Sequence, residues 1–154
     1  MAPFVVTHDT ALSPEAAWER IVNWDGHARY VPLTAIEVTT PPPAGLGTIF
    51  SARTGIGRFG FDDPMEVVEW SPPGNGSPDG RCRLEKRGRV MTGWAELTVE
   101  ARGTGSRATW REDAKPARLP AFTDGASAAF GRLLFGRVLR RLLDDDPAQV
   151  SPRT

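Results

Sequence analysis

The sequence predicts an α+β fold: a seven-stranded curved antiparallel sheet around a long C-terminal helix, with one or two short helices after strand 1. Three observations predict it. Six extended runs follow one another between about Ala35 and Ala114, broken by Pro- and Gly-rich turns. One more precedes a short helical stretch near the N-terminus. After the strands the pattern turns helical from about Ala121 to Leu143. Strands in series followed by a helix argue against a parallel, doubly wound sheet.

The elements follow in order. Phe4 to Leu12 reads as the first strand. Ser13-Pro14-Glu15 opens a helix: serine caps free amides, proline suits the first position, and glutamate suits the positive end. Trp18, Ile21 and Val22 follow at helical spacing, and Gly26 is the expected stop. A further short turn is expected over His27 to Val31. Extended runs over Ala35–Thr40, Thr48–Thr54 and Arg58–Trp70 come next, separated by Pro41-Pro42-Pro43 with Gly45 and Gly47, and then by Gly55 and Gly57. A loop from Ser71 to Pro78 precedes strands over Arg81–Val90, Gly93–Ala101 and Ser106–Ala114. In the final helix Phe130, Leu134, Val138 and Leu142 recur every four residues, with Phe122, Ala126 and Leu133 beside them. Residues 1–146 are expected to form one domain and 147–154 a disordered tail.

Alternation assigns faces to the last three strands. Cys82, Leu84, Lys86, Gly88 and Val90 share one face; Arg81, Arg83, Glu85, Arg87 and Arg89 share the other. Tight turns at Met91-Thr92 and Gly103-Thr104 would pair Lys86 with Leu97 and Leu97 with Trp110, and Gly88 with Ala95 and Ala95 with Glu112. Apolar then meets apolar, and charged meets charged. The arginine face lies beside Glu96 and Glu100, so it reads as a solvated surface with cross-strand charge pairs. Gly88 and Ala95 leave little side chain on the inner face, where a cavity can open. Lys86 and Glu112 would flank it. Three roles are open to them: structural pairing or edge solvation, lining a pocket, or general acid–base catalysis.

Composition narrows the function classes. The chain has 154 residues, 40% apolar and 25% charged, enough for a core and a cavity. Basic and acidic side chains balance at 19 each, which disfavours a nucleic-acid partner. Cys82 stands alone, so neither an intrachain disulfide nor a thiolate metal cluster is expected. His8 and His27 lack ligand spacing, no nucleophile elbow occurs, and Gly55 to Gly60 reads as a turn rather than a nucleotide loop. No metal or cofactor is therefore expected. No signal peptide or membrane span is legible, and the expected location is the cytoplasm.

The chain resembles a known family. The residues carrying the resemblance are Ser13-Pro14-Glu15-Ala16-Ala17-Trp18, Asn23-Trp24-Asp25 before Tyr30-Val31-Pro32, and Gly45-Leu46-Gly47-Thr48-Ile49-Phe50. They continue with Glu66-Val67-Val68-Glu69-Trp70-Ser71-Pro72-Pro73, Gly105-Ser106-Arg107-Ala108-Thr109-Trp110 and the closing helix. Over about residues 3 to 143 this order is similar to the SRPBCC superfamily, the START-like helix-grip proteins, and within it the bacterial polyketide cyclase/dehydrase-like group. The resemblance implies a sheet gripping the final helix with a hydrophobic tunnel between them. It carries over no catalytic motif, because members include aromatic-ring cyclases and lipid and hormone carriers.

Large side chains expected inside are Phe50, Phe59, Phe61, Met65, Trp110, Phe122 and Phe130. The expected ligand-binding set is Tyr30, Phe50, Phe61, Met65, Lys86, Trp110, Glu112, Phe122 and Phe130, with Lys86, Glu112 and Tyr30 as candidates for moving protons. The leading expectation is binding of a small hydrophobic, lipid-like or aromatic molecule. The alternatives are a polyketide cyclase or dehydratase using the same cavity, and a protein-interaction module acting through the arginine face. The sequence does not give the oligomeric state.

Overall fold

A computed structural model describes residues 3–117, 120 and 124–145. The expected strands and helices are present: β1 (Phe4–Thr10), α1 (Pro14–Ile21), α2 (Trp24–His27), β2 (Thr34–Val38), β3 (Ile49–Thr54), β4 (Phe61–Ser71), β5 (Gly80–Lys86), β6 (Met91–Arg102), β7 (Gly105–Pro116) and α3 (Asp124–Asp144). The strands form a single seven-stranded sheet in the order β1-β7-β6-β5-β4-β3-β2, with every neighbour antiparallel. β1 and β2 are the two edges. The segment joining them, α1 and α2, therefore crosses the concave side and closes the half-barrel on which α3 lies. The Phe122 site and the 147–154 tail lie outside the described residues.

Local chemistry sets these boundaries. Ser13 Oγ accepts from the Ala16 amide at 3.2 Å, and Pro14 occupies the first turn of α1. Gly26 does not end α1, contrary to expectation. The helix stops at Ile21, and Asn23 then caps a second, four-residue helix by accepting from the Gly26 amide. An asparagine that can satisfy a free amide starts a helix more effectively than a glycine further on stops one. Between β2 and β3, Thr48 Oγ1 accepts from the Gly45 amide at 2.9 Å, and Gly47, at φ 85°, donates to the Val67 carbonyl of β4. This ties the loop to the sheet.

Two register findings matter for the site. β6 and β7 pair as expected, with Leu97 opposite Trp110 and Ala95 opposite Glu112. β5 and β6 do not: Cys82, not Lys86, faces Leu97, and Leu84, not Gly88, faces Ala95. The pairing has slipped by an even number of residues, so every side chain keeps its face and only its partner changes. The chain leaves β5 at Lys86 and turns through Arg87–Val90, where the Arg87 amide donates to the Pro64 carbonyl. Gly88 therefore packs beside Pro64 in the turn rather than lining the inner face. In β4 a bulge between Val67 and Glu69 resets the alternation, so Val67 and Trp70 both turn towards the core.

The core lies between the concave sheet and the helices. α3 presents Val138, Leu139, Leu142 and Leu143 inwards. Gly131 lets it settle on β1, where a Cβ at 131 would lie 2.7 Å from the Phe4 ring. The expected face holds at Val138 and Leu142, but Leu133, expected beside it, is exposed, and Leu139 is buried in its place. Arg20 of α1 donates to the Leu143 and Asp145 carbonyls at 3.0 and 2.8 Å, capping the C-terminal end of α3. Phe59, expected inside, is 80% exposed: a 3-10 turn over Gly57–Phe59 swings it outwards, where Arg58 lies over its ring. Cys82 is fully buried, and burial pushes its thiol up to about 12.

The arginine face carries cross-strand pairs. Arg81 meets Glu96 at 2.8 Å, Arg87 meets Glu66 at 3.0 Å, and Arg107 meets Asp9 at 2.6 Å. Arg83 lies over the Trp94 ring. No described helix is long and apolar enough to cross a membrane.

Candidate functional site

Between the concave face of the sheet, α2 and the first half of α3 lies a cavity of about 750 Å³. Its walls follow from strand alternation. Phe50 and Ala52 of β3, Asp63 and Met65 of β4, Leu84 and Lys86 of β5, and Ala95 of β6 all point inwards and line it. Trp110, Glu112 and Ala114 extend the same row along β7. Ala52, Ala95 and Ala114 supply the missing volume, because alanines facing a helix leave space that larger side chains would fill.

One wall is a chain of rings. Phe50 stacks on Trp24 at 4.6 Å, Trp24 meets His27, His27 meets Trp110 at 5.4 Å, and Trp110 meets Phe135 at 4.7 Å. Such contacts add stability beyond simple burial and fix the wall's shape. His27 donates from Nε2 to the Ile21 carbonyl at 2.8 Å, which leaves Nδ1 as an acceptor. Burial lowers its pKa to about 4, so the ring is neutral at physiological pH. The Trp24 indole nitrogen is buried without a partner among the described residues.

The polar part is a cluster of three side chains. Lys86 Nζ lies 2.5 Å from Asp63 Oδ2 and 3.2 Å from Glu112 Oε1, with the lysine side chain only 3% exposed. Trp110 Nε1 donates to Glu112 Oε2 at 3.0 Å. Burial opposes charge on Lys86, but Glu112 and then Asp63 outweigh it and hold the ammonium's pKa above its usual value. Asp63 is pushed towards its neutral form: burial is the largest cause of its raised pKa, Lys86 opposes it, and Glu112 adds to the rise. A lysine held charged between two acids is a poor proton acceptor. It works as a fixed cation that organises the carboxylates.

The expected site residues divide clearly. Phe50, Phe61, Met65, Lys86, Trp110, Glu112 and Phe130 all border the cavity. Phe130 does so from the mouth, at 67% exposure. Tyr30 does not border it. It follows α2 into a turn closed by its amide on the His27 carbonyl, and it faces a small separate cleft with Arg20 and Asp145. The expectation that Tyr30 lies at the cavity is therefore corrected. Burial first, and then Asp145, raises the pKa of its hydroxyl. Phe122 lies outside the described residues. Asp63, Trp24 and His27 were missed. Asp63 sits between Phe61 and Met65 at the two-residue period that selected those two, but Asp62-Asp63-Pro64 has the composition of a turn. No group of three or more metal-ligating side chains forms a metal site among the described residues.

With the geometry in place, comparison with known proteins defines the class. The chain matches the family described as polyketide cyclase / dehydrase and lipid transport over residues 1–145, and it belongs to that family. Its fold is similar to TTHA0849 from Thermus thermophilus, at 14% identity over 92% of this chain and 94% of that one, with a TM-score of 0.66. XoxI from Bacillus cereus aligns at 13% identity over 93% and 94% of the two chains, with a TM-score of 0.65. CV1439 from Chromobacterium violaceum aligns at 11% identity over 99% and 100%, with a TM-score of 0.64. At these identities the likeness concerns the fold. No curated protein matches the sequence.

Proposed function

We propose that the chain binds a small, largely apolar molecule in the cavity between the sheet and α3. The observation that carries this reading is the cavity itself: about 750 Å³ lined mainly by aromatic and aliphatic side chains, with its charged groups gathered in one cluster. That size and division of chemistry suit a ligand whose burial supplies affinity and whose few polar atoms set orientation. The family description, which includes lipid transport, supports the same reading.

The test is titration with Nile red, an uncharged apolar dye, together with native mass spectrometry of freshly purified protein. Saturable enhancement of the dye's emission, or a bound mass released on denaturation, is the expected result. No dye binding and no bound mass would refute the reading.

A cyclase- or dehydratase-type reaction in the same cavity is the second reading, and the buried ionisable cluster favours it. In that case Lys86 would act as a fixed ammonium that stabilises developing negative charge, and Glu112, accepting from Lys86 and Trp110, would orient it rather than donate a proton. Unchanged turnover of an aromatic polyketide precursor in Lys86→Met and Glu112→Gln variants would remove both from the mechanism.

A further inference from the structure

The Asp63–Lys86–Glu112 cluster has one hydrogen-bonding position left over, and it is an acceptor. Lys86 has three N–H bonds. Asp63 Oδ2 lies 2.5 Å from its nitrogen, Glu112 Oε1 lies 3.2 Å away, and Met65 Sδ lies 3.8 Å away. Glu112 Oε2 takes the Trp110 indole. Asp63 Oδ1 is buried with no partner among the described residues, on a residue only 8% exposed. The cluster also sets one cation against two carboxylates.

We propose, resting on the ligand-binding reading above, that this cluster selects molecules carrying an uncharged hydroxyl on an apolar body, with the hydroxyl donating to the Asp63 carboxylate. A ligand carboxylate finds no spare lysine hydrogen there and meets two acids instead. A hydrocarbon leaves the acceptor unpaired, and a ketone brings no proton to it. Oδ1 is covered in this structure, and the carboxyl turns about its soft χ2 bond to meet the incoming group. Asp63 is thus a specificity-determining residue, and fatty acids are the class the cluster disfavours.

The test is displacement of Nile red by para-butylphenol, butylbenzene, para-butylbenzoate and para-butylacetophenone, which share one apolar body. The phenol should bind about tenfold more tightly than butylbenzene, the worth of one charge-assisted hydrogen bond, and the benzoate should bind most weakly. The ratio of phenol to butylbenzene affinity should fall towards one in Asp63→Leu. Part of it should persist in Asp63→Asn, whose amide oxygen still accepts. Equal affinity for phenol and butylbenzene overturns the inference. So does a preference for the benzoate or the ketone, or a phenol preference that survives Asp63→Leu. If Asp63→Leu fails to fold, the wild-type series and Asp63→Asn still decide it. Failure of Nile red to bind, with no bound mass in native mass spectrometry, overturns the cavity reading and this inference with it. Dye binding without a hydroxyl preference overturns this inference alone.

Discussion

His27 gives its one N–H to a backbone carbonyl and sits between two indoles, so protonating it would bury a charge with no counter-ion. Its pKa falls from 6.5 to about 4 on folding. The sign follows from linkage: below pH 6.5 the unfolded chain takes up a proton that the folded ring refuses. Stability from this group is therefore full above 6.5, declines as pH falls towards 4, and levels off below. The loss amounts to about 3 kcal/mol. Asp63 acts in the opposite sense, because its raised pKa favours the folded state at low pH and that contribution fades as pH rises through the folded value. Urea midpoints of wild type and His27→Gln from pH 7 to 4.5 isolate the histidine, since only the wild type should show its decline. Lys86→Met tests the cluster. It leaves two buried carboxylates without their cation and should cost about 3–5 kcal/mol at pH 7, less at low pH, where Asp63 takes up a proton. Lys86 and Glu112 were legible as inward-facing residues because period-two alternation is robust in β5 and β7. Their joint partner Asp63 was hidden by its turn-like neighbours, and its role depends on β4 lying beside β5, which no local pattern records.

At the scale of elements, alternation fixed faces better than partners. The β5–β6 pairing slipped by an even number of residues because that move changes no face, so the hydrophobic pattern is blind to it. The β6–β7 hairpin, with its turn glycines, was legible to the residue. The bulge in β4 and the outward swing of Phe59 depend on long-range fit and left no mark that periodicity could detect. α3 offers a direct test of how closely its packing is set. Replacing a helical glycine with alanine gains up to about 1 kcal/mol in propensity. At Gly131 the new methyl would press into the Phe4 ring, which is itself stacked on Phe135, and overpacking costs about 1–3 kcal/mol. Gly131→Ala should therefore destabilise. Gly125→Ala, whose Cβ meets nothing, should be neutral or stabilising. Denaturant midpoints distinguish the two, and a stabilised Gly131→Ala would show that α3 does not rest as closely on β1 as described.

For the whole molecule, the cavity is also a weakness. The sheet, α2 and α3 meet around space instead of side chains, so the walls forgo packing contacts that a filled core would have. A molecule that occupies this space restores them. At a hundred times its dissociation constant, such a ligand should stabilise the fold by about 2.7 kcal/mol and raise the melting temperature accordingly. Differential scanning fluorimetry with para-butylphenol measures this, and an unchanged melting temperature at saturating ligand would count against occupancy of the native cavity. Arg20 joins α1 to the last turn of α3, so the segment that closes the half-barrel also fastens the helix forming the cavity's other wall.

Cys82 gives the protein an internal clock. Its sulfur lies on the inner face of β5, opposite Trp70 of β4 and within the core that holds Trp18. It is shielded from solvent, and its thiol ionises only near pH 12. An alkylating reagent in neutral buffer therefore has nothing to attack while the sheet stays shut. Each modified molecule then records one opening of the β4–β5 region. The labelling rate reads out how often the native state breathes, and a ligand seated on the neighbouring wall should slow that count in proportion to its occupancy.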